Sequence, residues 1–138
     1  MNIVPTSTGA ARATSLVMAN MKGRLDGSAL RVPLPVGSIT DFTGILNAVV
    51  DSKAVNAAFA AAAKSGPLAR VLVYTEDPIV SSDIVGSPAS CTFDSALTMT
   101  LPLEHGQTLV KIFGWYDNEM GSYTYRLGEL TTSVARSM

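Results

Sequence analysis

Cysteine and histidine are almost absent from this chain of 138 residues, which has one of each, Cys91 and His105. A single cysteine excludes an intramolecular disulfide and is typical of a reducing compartment. With one cysteine and one histidine, a zinc site of the usual ligand set cannot form, and we expect no metal. Neither a G-x-G-x-x-G nor a Walker phosphate loop is present.

Charge is also scarce. Ten Lys and Arg stand against eleven Asp and Glu, and charged residues make up 15% of a chain that is 47% hydrophobic. This composition excludes disorder as the main state and gives no electrostatic footprint for nucleic acid or an anionic membrane. So few charges predict a surface partly covered by another molecule. There is neither a signal peptide nor an apolar run long enough for a membrane span, so we expect a cytoplasmic protein.

The hydrophobic pattern predicts three helices and six or seven strands in one domain over residues 1–138. The strands are grouped rather than alternated with helices, which favours an α+β fold: a mixed, largely antiparallel sheet with helices on one face. A helix is predicted from Thr8 to about Asn20. A second helix is predicted after a cap at Asp51-Ser52, through Lys64, with Val55, Ala58 and Phe59 on one face and Gly66-Pro67 as its end. A third is predicted at the carboxyl end, where Tyr123, Leu127, Leu130 and Val134 recur at helical spacing. Extended segments are predicted at residues 2–6, 24–32, 37–50, 69–74, 79–85, 90–99 and 108–116.

Three places could carry chemistry, and the residues alone leave each open. Thr8 and Gly9 open a helix, whose free N–H groups can hold a phosphate, but the same residues can simply start a helix. Arg31 lies beside apolar neighbours at a strand end, where a guanidinium can bind phosphate or form a structural ion pair. Asn118 offers donors and an acceptor at a strand-to-helix junction, or it caps the helix.

Cys91 and His105 are poor candidates for a nucleophile and its base. A reactive thiol needs an activating base or cation, and the only histidine lies in a polar loop fourteen residues further on. We expect Cys91 to be an unreactive, half-buried strand residue and His105 to be solvated.

Six segments lie in one order along the chain: residues 2–11 (NIVPTSTGAA), 30–33 (LRVP), 37–41 (GSITD), 55–59 (VNAAF), 74–83 (YTEDPIVSSD) and 115–119 (WYDNE). In this order and at nearly this spacing they resemble the C-terminal part of phosphorylating glyceraldehyde-3-phosphate dehydrogenase, bacterial type. The resemblance covers nearly the whole chain.

The resemblance implies roles for five residues. Thr8 and Gly9 match a pair that binds phosphate at the active site, and Arg31 matches the arginine shared by the substrate and inorganic phosphate sites. Asn118 matches the asparagine that hydrogen-bonds the nicotinamide carboxamide, and Tyr123 matches a tyrosine that lines the nicotinamide pocket. The implied cofactor is NAD or NADP, and the implied substrates are glyceraldehyde 3-phosphate and inorganic phosphate, which yield 1,3-bisphosphoglycerate.

The resemblance also implies what this chain lacks. In the family, the Rossmann NAD-binding domain, the catalytic Cys and the catalytic His come before the point where this sequence begins. Cys91 matches a late strand, so we expect no catalytic residue here and no activity from the isolated chain. Two departures are visible: Met120 replaces the usual Trp, and Ser122 resembles a one-residue insertion.

Two functional hypotheses follow. In the first, the chain is part of a glycolytic oxidoreductase and acts as a homo-oligomer or with a complementing N-terminal fragment. In the second, it is a non-enzymatic module, engineered, split or degenerate, that binds phosphate or associates with itself.

Overall fold

Three α-helices and six β-strands make up the chain in the computed structural model, which describes all 138 residues. This is the α+β class that the sequence predicts. The backbone clusters into two units, an N-terminal unit of Met1–Pro35 and a C-terminal unit of Val36–Met138.

An antiparallel ribbon forms the centre of the N-terminal unit. Strand β1 (Val4–Ser7) pairs with β2 (Ser28–Arg31), so that Val4 faces Arg31 and Ser7 faces Ser28. Helix α1 (Ala10–Val17) follows β1 directly and ends three residues before the predicted Asn20. The β2 strand is shorter than the predicted 24–32, because a single pairing partner of four residues leaves the rest of the segment without a ladder.

The sheet of the C-terminal unit contains four strands in the order β3, β6, β5, β4. Strand β6 is antiparallel to both β3 and β5, whereas β4 is parallel to β5. The sheet is therefore mixed and largely antiparallel, as predicted. Its strands are β3 (Ser38–Leu46), β4 (Leu72–Thr75), β5 (Cys91–Pro102) and β6 (Thr108–Tyr116).

Helix α2 (Ser52–Lys64) packs on β4 and β5. The carboxylate of Asp51 accepts the N–H of Ala54 at 2.8 Å, which is the N-cap that the sequence predicts. Val55 is buried, and the ring of Phe59 stacks on Phe93 with 4.0 Å between centroids. Ala58, which the sequence places on the same helix face, is instead exposed.

The strand predicted over residues 79–85 is wrong. The segment forms a 3-10 turn, Ser81–Ile84, in which the Asp83 carboxylate accepts the N–H of Val80 at 2.7 Å. Local bonds from a short polar side chain compete with sheet pairing, and here they outweigh the β-branched composition. Ile84 is still buried, at 3% exposure, so the turn contributes to the core.

Helix α3 (Ser122–Ser137) forms where the apolar spacing predicts it, but that apolar stripe lies in the open. Its residues are between 51% and 66% exposed: Tyr123, Leu127, Leu130 and Val134. None of the helices combines the length and hydrophobicity needed to cross a bilayer.

Candidate functional site

Thr8 and Gly9 lie at the junction of β1 and α1 in the N-terminal unit. The N–H of Ala10 donates to Thr8 Oγ1 at 3.2 Å, and Gly9 occupies the N-cap position with a helical backbone. The other N–H groups of the first turn have no intrahelical partner, so they can donate to an anion. A Cβ built on Gly9 would meet nothing within 4 Å, so the approach to this helix end is open.

Arg31 ends β2 and is exposed, and it takes part in none of the salt bridges of the chain. The register places it opposite Val4, on the same ribbon face as Thr6. Because Thr8 lies four residues beyond Val4, past the other end of β1, the backbones of Arg31 and Thr8 are separated by roughly 14 Å of ribbon, at about 3.4 Å per residue. The ribbon does not bring the two backbones together, so both can reach one anion only if the long arginine side chain spans part of that gap.

Asn118 lies in the turn between β6 and α3 and is half-buried. The Ser38 hydroxyl, from the start of β3, donates to Asn118 Oδ1 at 3.2 Å. Asn118 Nδ2 in turn donates to Glu119 Oε1 at 3.3 Å. The amide is therefore held from both ends, by residues that come from different parts of the sequence.

Asp117 precedes Asn118 in the same turn and is fully buried, at 0% exposure. Its carboxylate accepts the N–H of Gly86 at 2.7 Å and the N–H groups of Glu119 and Met120 at 2.8 and 2.9 Å. The bond from Gly86, reinforced by that from Met120, holds the pKa of Asp117 below its ordinary value, although burial acts in the opposite direction. The carboxylate is therefore charged at neutral pH. Its hydrogen bonds join the loop that contains Gly86 to the turn that contains Glu119 and Met120.

The main chain of this turn is equally constrained. Both the N–H and the hydroxyl of Ser122 donate to the carbonyl oxygen of Asp117 at 3.1 Å. Gly121 packs directly against the main-chain carbonyl of Ser87, so that a Cβ at Gly121 would collide with it. The sequence motifs assign a role in the site to neither Asp117 nor Ser38. The signal available in the sequence was a charged residue at the end of an apolar strand, next to the candidate Asn118.

Tyr123 lies in the first turn of α3 and is 66% exposed. Its ring meets Tyr116 edge to face, with 6.4 Å between centroids and planes at 86°. This contact holds the ring near the end of β6 while leaving most of it free to contact a flat ligand. Ser122 is the first helical residue and is buried, so it contributes to the packing of this junction.

Cys91 and His105 do not form a reactive pair. Cys91 begins β5 and His105 follows its far end, twelve strand residues away. Burial raises the pKa of the Cys91 thiol, which keeps it protonated. The His105 side chain is 89% exposed. No group of His, Cys, Asp and Glu is arranged to hold a metal ion.

Comparison with known proteins matches the chain to one family. The family described as glyceraldehyde 3-phosphate dehydrogenase, C-terminal domain, matches residues 1–118. Among curated proteins, the chain is 56% identical over 137 residues to a glyceraldehyde-3-phosphate dehydrogenase of Streptomyces coelicolor and 51% identical over 138 residues to that of Mycobacterium avium. These alignments cover 99% and 100% of this chain but only 39% of each relative.

Proposed function

Because the chain belongs to the glyceraldehyde 3-phosphate dehydrogenase C-terminal domain family, we propose that it supplies the phosphate and nicotinamide contacts of such a dehydrogenase. The whole enzyme oxidises glyceraldehyde 3-phosphate with NAD or NADP and inorganic phosphate, and forms 1,3-bisphosphoglycerate. Residues 1–138 are the C-terminal catalytic-domain portion of that enzyme. The amide of Asn118, held by a seryl hydroxyl in a turn anchored on buried Asp117, is the observation that best supports this proposal.

The phosphate contacts come from the N-terminal unit. The free N–H groups at the start of α1 and the partial positive charge of that helix end favour an anion beside Thr8 and Gly9. Arg31 adds a full positive charge and a fork of donors that matches two phosphate oxygens. Its distance from Thr8 along the ribbon fits an arginine that serves two neighbouring phosphate positions better than one that serves a single position.

The nicotinamide contacts come from the C-terminal unit. Asn118 keeps one Nδ2 hydrogen free beyond its bond to Glu119, and this hydrogen can donate to a carboxamide oxygen. The exposed ring of Tyr123 can cover one side of a flat ring system. When bound, the nicotinamide accepts the hydride of the oxidation. Asn118 and Tyr123 bind the nicotinamide and orient it.

The chain has no nucleophile and base of its own, so catalysis requires the remaining length of the enzyme. Cys91 is held as a thiol and His105 lies beyond the far end of β5. The exposed apolar stripe of α3 is a surface that this remaining segment or another subunit can cover. The active form is therefore a complex with a complementing N-terminal fragment, and the chain can form a homo-oligomer within that complex.

Replacing Arg31 with alanine should weaken inorganic phosphate binding by roughly tenfold or more, because a charge-assisted hydrogen bond contributes about 1.5–3 kcal/mol. Phosphate binding to the 138-residue chain can be followed by 31P line broadening during titration. Arg24→Ala is the matched control, since Arg24 is an exposed arginine of the same unit outside the ribbon. Equal binding by the Arg31→Ala and Arg24→Ala variants would refute the assignment of Arg31.

The exposed stripe on α3 also favours a second candidate, a non-enzymatic module that associates with itself. Sedimentation would then show concentration-dependent self-association without any partner segment. The module would bind phosphate but contribute to no turnover when the rest of the enzyme is supplied.

A further inference from the structure

We propose that Ser38 is a positioning residue that fixes the orientation of the Asn118 amide, an inference that rests on the proposed function for its consequence in binding. The two residues are 80 positions apart in sequence and are the only side chains joined across this junction by a hydrogen bond from β3. Ser38 begins β3 opposite Tyr116, so strand pairing itself brings its hydroxyl beside the turn that carries Asn118.

Together the two bonds distinguish the ends of the amide. The Glu119 carboxylate only accepts, so it takes an Nδ2 hydrogen, and the Ser38 hydroxyl then donates to Oδ1. With Oδ1 bonded to Ser38 at 3.2 Å and one Nδ2 hydrogen directed to Glu119 at 3.3 Å, the remaining Nδ2 hydrogen is the free group. A ligand carbonyl oxygen is its natural partner.

Without the hydroxyl, the amide is held at one end only, by a bond to the exposed carboxylate of Glu119. The terminal torsion of asparagine has broad, roughly two-fold preferences, so the amide can turn and present Oδ1 in place of Nδ2. Two oxygen acceptors would then face each other whenever a carboxamide approaches through its carbonyl. Asp117 does not prevent this turn, because its bonds fix the main chain of the junction and not the Asn118 side chain.

The first part of the test is independent of any ligand. The chain has five asparagines and one glutamine, so the Asn118 side-chain amide can be assigned in a 1H–15N spectrum by its disappearance in Asn118→Asp. In the unsubstituted chain its order parameter should be near the rigid value of about 0.85. It should fall below about 0.6 in Ser38→Ala and recover in Ser38→Thr, which restores the hydroxyl.

Ser82→Ala is the matched control, because Ser82 is an exposed serine that makes no side-chain hydrogen bond. A mobile Asn118 amide in the unsubstituted chain would overturn the proposal, and so would equal rigidity in Ser38→Ala. Should Ser38→Ala fail to fold, Ser38→Cys takes its place because a thiol is only a weak donor, and an equally rigid Asn118 amide in that variant would likewise overturn the proposal.

The second part titrates nicotinamide mononucleotide, a probe that carries the carboxamide without the adenosine half. Ser38→Ala should lose roughly three- to tenfold in affinity, the effect of one net hydrogen bond, while Ser82→Ala retains it. If the probe leaves the Asn118 signal of the unsubstituted chain unshifted, the proposed nicotinamide role fails while the positioning of the amide stands. If Ser38→Ala and Ser82→Ala bind the probe with equal affinity, measured by the shift of the Asn118 signal, the positioning role fails instead.

Discussion

Replacing Gly121 with alanine is expected to destabilise the C-terminal unit by about 3 kcal/mol or more, the upper range for overpacking a site that cannot yield. Gly121 has an ordinary negative φ of −82°, so backbone strain is not the reason. The reason is space: a Cβ at this position would collide with the main-chain carbonyl of Ser87. Main chain cannot rotate aside as a flexible side chain does, so the turn carrying Asn118 must shift or open.

The control for this prediction is a second glycine of the same helix region. A Cβ on Gly128 would meet nothing within 4 Å, so Gly128→Ala should stabilise α3 by about 0.5–1 kcal/mol through helix propensity alone. Urea unfolding of the two variants should therefore give effects of opposite sign. Equal midpoints for Gly121→Ala and the unsubstituted chain would show that the junction is not packed as described.

Replacing Asp117 with asparagine should destabilise the same junction, and the loss should depend on pH. The carboxylate accepts three main-chain N–H groups, whereas an amide offers one oxygen and brings two hydrogens into a site that holds only donors. The amide nitrogen would face an N–H group with no acceptor available. The loops at Gly86 and at Met120 would then no longer be tied together, and Asn118 would lose its anchored main chain.

The sign of the pH effect follows from the direction of the pKa shift. The bonds from Gly86 and Met120 lower the pKa of folded Asp117 below the unfolded value of about 3.9. Its stabilising contribution is therefore complete above about pH 4 to 5 and is lost as the pH falls through the lower, folded pKa. The difference in free energy of unfolding between the unsubstituted chain and Asp117→Asn should be constant near neutrality and become smaller below about pH 4.

Urea midpoints measured across this pH range test the prediction. Asp26→Asn is the control, since Asp26 is exposed and its carboxylate accepts one neighbouring N–H, that of Gly27. A difference between the chain and Asp117→Asn that stays flat from pH 7 down to pH 2 would contradict the account of the buried carboxylate.

Local signals were sufficient for much of the fold. The cap at Asp51 and the Gly66-Pro67 break predict α2 to the residue, since both act within one helical turn. Strand β6 was predicted with its observed bounds because it is a β-branched and aromatic run between two polar loops. The α+β class followed from the grouping of such elements.

The remaining features depend on contacts between distant residues. The bond from Ser38 to Asn118 and that from Gly86 to Asp117 exist only because strand pairing brings separate loops together, and no local pattern encodes them. The strand predicted over residues 79–85 does not form, because the Asp83 carboxylate accepts the N–H of Val80 within its own turn. The spacing of Leu127 and Leu130 predicts an amphipathic helix but cannot say what covers its apolar side. The roles of Thr8, Gly9, Arg31, Asn118 and Tyr123 rest on the resemblance and remain predictions.

Reduction of NAD by this chain, with and without the N-terminal segment of a relative, tests the central claim most directly. Absorbance at the NADH band is followed in the presence of glyceraldehyde 3-phosphate, NAD and inorganic phosphate. The chain is assayed alone and after co-folding with the N-terminal segment of the Streptomyces coelicolor relative. We predict no turnover from the chain alone and turnover from the mixture that Asn118→Ala strongly reduces. Turnover by the 138-residue chain alone would contradict the account, and an inactive complex of two folded segments would favour the non-enzymatic module.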